Sequence, residues 1–203
     1  MKKPDIAVHW MESLECLDAL LDPSHGKPPA VLRPTDERAY APRLLVSTAQ
    51  DPRALYEYNA SFCSLLCAAD AYGNAVLLHE PLAAETVGKQ LASFRKAVEE
   101  LLHEPRMALH AGAQGRIMTQ GPDPAVYRAV RSQLDDLLPV EAHELSPRND
   151  RGERMTAEGM LYLPPAFTRS GRPAVLLAAP LATYWDFPSN VRARFTPANE
   201  PGA

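Results

Sequence analysis

The sequence predicts an α+β fold: a mainly helical bundle of about four helices, then a small antiparallel β-rich layer at the C-terminus. Three observations predict it. Apolar residues recur at three- and four-residue steps through much of residues 1–138. Asp51-Pro52 and Asp123-Pro124 read as N-caps followed by Pro at the first helical position, where its missing N–H costs nothing. Beyond Pro139, short runs are separated by the turn signals Asn149-Asp150-Arg151-Gly152 and Ser170-Gly171.

The first helix is expected over residues 5–21, with Ala7, Trp10, Met11, Leu14, Leu17 and Leu21 on one face. It ends at Asp22-Pro23, because a residue before Pro is pushed out of the helical region. A Pro-rich stretch follows, with short strands at 30–33 and 43–47. The central helix runs from Asp51 to about His79, striped by Leu55, Tyr58, Phe62, Leu66, Ala69, Tyr72 and Val76. Cys63, Leu65 and Ala68 widen that stripe, so the helix is expected to be largely buried. Gly73-Asn74 marks a kink or an early end, with residues 75–78 as a strand in the second case. The next helix, residues 84–103, carries Val87, Leu91, Phe94, Val98 and Leu101 on one face, with charged residues opposite. A last helix is expected over residues 123–139, after a glycine-containing loop or hairpin at 106–122. Residues 160–163, 174–178 and 191–195 are read as a meander. Pro164, Pro165, Pro173 and Pro180 confine its strands to short lengths or sheet edges.

The 203 residues fit a single domain: residues 1–138 as helical core, 139–195 as β-rich layer and 196–203 as a flexible tail. A hydrophobic content of 46% with 23% charged residues excludes wholesale disorder. The net charge is −4 and the basic residues are scattered singly, which argues against nucleic acid as a partner. Three cysteines form no disulfide framework. Asp5, Glu12, Glu15 and Asp18 interrupt any apolar leader, and no run reaches the ~18 to 20 apolar residues that span a bilayer. A cytoplasmic location with reduced thiols and no membrane partner is the expectation; a protein exported without a leader would look the same.

Candidate chemistry centres on a repeated pentapeptide, Leu-Leu-His-Glu-Pro, at residues 77–81 and 101–105, with a further pair at His143-Glu144. Imidazole and carboxylate suit Zn, Fe or Mn. Helical neighbours point about 100° apart, so each pair offers one good ligand at most. On a helical hairpin, His79 and His103 would sit at opposite poles, roughly 30 Å apart. That leaves His79 with His143 as the only compatible pair, and the pentapeptides as helix ends closed by Pro. No metal and no cofactor are expected. Outside the pentapeptide, residues 58–81 and 82–105 match little, so no internal repeat is expected. Cys63 and Cys67, four residues apart, read as small buried hydrophobes. Arg116 follows Gly112 and Gly115 in a segment readable as an anion-binding turn or as a plain loop. Asp70, between two alanines, either faces solvent or is buried with a partner such as an Arg. Tyr184, Trp185 and Phe187, bracketed by prolines, suit a partner anchor or a lock for the tail.

The leading expectation is a soluble intracellular protein-binding module of inhibitor, immunity, adaptor or chaperone type. Its partner is another protein, contacted through Tyr184, Trp185 and Phe187. No recognisable catalytic constellation is present, which weighs against an enzyme. The alternative is a small enzyme or ligand-binding domain. Its pocket, between helical core and C-terminal layer, would use His79, His143, Asp70 and Arg116 on a small-molecule ligand.

Overall fold

A computed structural model describes residues 6–11, 14–25, 30–32, 43–58, 63–81, 87–104, 106–111, 143–144 and 159–178. The expected helical bundle is not formed. The described residues hold two α-helices and ten strands: β1 (Ala7–Met11), α1 (Leu14–Leu20), β2 (Ala30–Leu32), β3 (Arg43–Ser47), β4 (Ala54–Tyr58), β5 (Cys63–Ala69), β6 (Ala75–Pro81), α2 (Val87–Leu101), β7 (Arg106–Ala111), β8 (His143–Glu144), β9 (Gly159–Leu163) and β10 (Ala174–Ala178). They form two five-stranded sheets, ordered β1-β10-β9-β4-β2 and β3-β6-β5-β7-β8. The inner pairings are antiparallel, and β1, β2 and β8 join their sheets as parallel edges.

The central helix is replaced by β4, β5 and β6. These strands are apolar on both faces, so they lack the alternation of a half-wet strand. A continuous apolar run cannot be told from a buried helix by periodicity. Cys-Ser-Leu-Leu-Cys-Ala-Ala is also built from residues that strands do not favour, and tertiary burial overrides that preference. Gly73 supplies the turn between β5 and β6 at φ 97°, a region open to Gly at little cost. The helix expected over residues 5–21 is divided into β1 and α1. Within residues 84–103, α2 does form. Among the described side chains of α2, Leu91, Phe94 and Val98 are buried, each worth up to roughly 1.5–3 kcal/mol of burial. The helix expected over 123–139 and the strand over 191–195 lie outside the described residues. β9 and β10 are the antiparallel pair expected near the C-terminus, but they are inner strands of the first sheet, not an appended layer.

The sheets face each other across one core. Leu45, Leu65, Cys67, Ala69, Ala75 and Leu77 come from one sheet, and Leu55, Met160, Tyr162, Val175 and Leu177 from the other. α2 packs on the far side of the second sheet, against β6.

Strand directions give the sandwich two unlike ends. The connections at 48–53, 70–74, 102–105 and 164–173 lie at one end, called closed here. At that end Asn74 Oδ1 accepts from the Ala49 N–H at 2.9 Å, and Gly73 lies so near Pro165 that an added Cβ would stand 3.3 Å from its ring. The other, open end is where β4, β6, β7 and β10 finish and where β3, β5 and β9 begin. The chain leaves the described strands at that end after Leu32, Tyr58, Pro81, Ala111, Glu144 and Ala178, and re-enters them there at Arg43, Cys63 and Gly159.

Candidate functional site

Two polar groups meet in the core near the open end. Glu57 is the fourth residue of β4 and shares its inward face with Leu55, two residues earlier. His79 is the fifth residue of β6, inward like Ala75 and Leu77. The imidazole Nδ1 lies 3.1 Å from Glu57 Oε2, and both side chains are 0% exposed. This contact crosses from one sheet to the other. Among the described residues, His79 Nε2 has no hydrogen-bond partner. Gly159 permits the close strand packing beside this pair, since a Cβ there would stand 3.0 Å from the Glu57 carbonyl oxygen.

Asp70 is buried too, at the closed end, and its partners are N–H groups rather than an arginine. Oδ1 accepts from the backbone N–H of Tyr72 at 2.8 Å and of Asn74 at 3.0 Å. Oδ2 accepts from the Asn74 side-chain amide at 2.8 Å and from the His103 backbone N–H at 3.1 Å. One carboxylate thus ties the β5–β6 turn to the end of α2, and through Asn74 to the β3–β4 connection. The same two backbones carry a surface ring pair. Tyr72, 60% exposed, stands 5.9 Å from the His103 ring, centroid to centroid.

Glu104 follows with φ 49°, the left-handed position that closes many helices and that glycine fills at least cost. Glu104→Gly is therefore expected to raise unfolding free energy by about 0.5–1 kcal/mol. A lower denaturation midpoint for the variant would contradict that assignment.

The remaining candidates are dispersed. Along β5, Asp70 lies five residues beyond Leu65, the register partner of His79, so Asp70 and His79 are about 17 Å apart along the strands. His143 pairs with Ala108 on β8, three strands from β6, or about 14 Å across the sheet. The pocket expected between a helical core and a C-terminal layer has no helical core to form its wall. Arg116, Tyr184, Trp185 and Phe187 lie outside the described residues. Among the described residues, no group of three or more His, Cys, Asp or Glu is placed to hold a metal ion. No described helix is long and apolar enough to cross a membrane.

Glu57 went unread in the sequence. Its signal was an acid at an inward position of Ala-Leu-Tyr-Glu-Tyr, visible only once that segment is taken as a strand. Tyr72, in the turn Asp-Ala-Tyr-Gly-Asn, was hidden in the same way, as part of a supposed helical stripe.

Cys67 is a free thiol in the core, and burial pushes it up to about 12. Burial also raises the Tyr162 phenol well above its usual range, with smaller contributions from Cys67 and Asp70. Cys67 is expected to resist thiol reagents in the folded protein near pH 8, where the thiolate is scarce and enclosed, and to react on unfolding. Peptide mapping after alkylation reads this at Cys67 alone, separately from Cys16 and Cys63.

The chain matches no protein-family model, and a search of curated proteins finds no similar sequence.

Proposed function

We propose that this chain is a cytoplasmic protein-binding module that engages its protein partner at the open end of the sandwich. The observation that carries the reading is the division of labour between the two ends. Asp70 and Asn74 fasten the connections of the closed end to one another, while the longest stretches of chain between described strands, 112–142 and 145–158, and the stretch after Ala178 depart from the open end. Binding residues gather on the loops at one end of a rigid scaffold. Arg116 follows β7 by five residues, and Tyr184, Trp185 and Phe187 follow β10, so all four belong to segments leaving that end. Large aromatics and arginine are the residue types that dominate protein interfaces. The absence of a disulfide framework favours a reducing compartment.

Site-specific photo-crosslinking tests the proposal. A photoreactive residue in place of Trp185 should trap one discrete protein in cells. The same residue in place of Tyr72, at the closed end, should not. The trapped protein, once purified, should form a defined complex that Trp185→Ala weakens at least tenfold, about 1.4 kcal/mol or more. Crosslinking from Tyr72 alone, or a complex indifferent to Trp185, would overturn it.

A further inference from the structure

We propose that β3 is a self-association edge: two copies pair this strand antiparallel, about a two-fold axis at Leu45, so that one sheet runs through both. Among the described residues the second sheet ends at β3, so every other residue of the strand turns its N–H and C=O away from β6. Such an edge is a template for another strand unless charge, proline, a bulge or shortness blunts it.

Of the four described edges, β3 is the least protected. β2 and β8 are three and two residues long. β1 carries His9 at its centre. β3 reads Arg-Leu-Leu-Val-Ser, with its one charge at the first position and no proline. Its register against β6 runs unbroken through all five residues, so no bulge twists it away. Past its end the chain turns off the edge and crosses to β4. The Thr48 N–H donates to the Asp51 carbonyl at 3.3 Å, and the Arg53 N–H to Ser47 Oγ at 2.9 Å.

The side chains favour a second copy as the occupant. Leu45 and Ser47 are buried on the inward side, so Leu44 and Val46 share the outward face. Their register partners on β6, Leu78 and Val76, are buried on the side where α2 packs. That cover stops short of Leu44, which is 38% exposed. An apolar outward residue thus stands on either side of Leu45. Antiparallel pairing about Leu45 sets Leu44 of each copy opposite Val46 of the other, and Arg43 opposite Ser47. Both outward pairs are apolar, and no like charges meet. A contact confined to one strand edge buries little area, so the dimer is weak and depends on concentration.

Sedimentation velocity of the intact protein, from micromolar to submillimolar, should show monomer giving way to dimer. In hydrogen exchange, β3 amides should be open in the dilute sample and gain protection in the concentrated one. Leu44→Lys should weaken dimerisation about tenfold or more, because it puts a charge opposite an apolar residue twice. Val46→Glu should do the same. An equimolar mixture of the two variants should dimerise again. One pair then joins the new lysine to the new glutamate, and the other keeps Leu44 opposite Val46. Should Val46→Glu fold poorly, Leu44→Lys decides alone, since its side chain is exposed in the single copy. A chain that stays monomeric, a dimer indifferent to Leu44→Lys, or a mixture of folded variants no tighter than either alone overturns the proposal. So do β3 amides already protected in the dilute monomer, which would mean that this chain covers its own edge.

Discussion

Replacing His79 by leucine is expected to cost about 3–5 kcal/mol of unfolding free energy, read as a lower denaturant midpoint. Shape is not the reason, since leucine fills much of the imidazole's space. The loss comes from leaving the Glu57 carboxyl in the core without the ring nitrogen 3.1 Å away. A loss below about 1 kcal/mol would show that the Glu57 carboxyl does not depend on this contact.

Asp70→Ala is expected to lose about 3–5 kcal/mol, because four N–H donors lose a charged acceptor together. These hydrogen bonds form one network, so their losses do not add in full. Asp70→Asn should lose about 1–3 kcal/mol. Its carbonyl oxygen still serves the Oδ1 partners, while its NH2 faces donors from Asn74 and His103. Amide exchange at Tyr72, Asn74 and His103 should accelerate together in both variants. Independent behaviour of those amides, or a loss below about 1 kcal/mol for alanine, would refute the clamp.

How much of this was legible from sequence follows from what hydrophobic patterns encode. α2 was readable because one face is wet: Lys96 and Glu100 lie opposite Phe94 and Val98, and that contrast has a helical period. β5 and β6 were not, because both faces are buried and no contrast remains. The turn at Gly73-Asn74 was the usable signal, and it was outweighed by the apparent stripe through residues 55–76. Asp70 could be singled out as an acid among apolar residues, but its N–H partners depend on a turn that the helical reading removes. His79 could be named, whereas Glu57 is 22 residues away and joins it only when two sheets stack.

The same four letters, Ala-Val-Leu-Leu, open both β6 and β10. In β6 the first and third of them, Ala75 and Leu77, enter the shared core; in β10 the second and fourth, Val175 and Leu177, do so. An identical word is therefore read in opposite frames, so greasiness alone does not choose the frame. Punctuation outside the word does. In β6 the word is preceded by the Asp70–Asn74 turn and followed at once by His79, which meets Glu57; the corresponding letter after the word in β10 is Ala178. Stripped of that polar punctuation, the chain should fold with slipped copies of β6, seen as duplicate amide resonances for residues 75–81. Two polar contacts thus act as the spelling check on a strand whose apolar letters fit either way round.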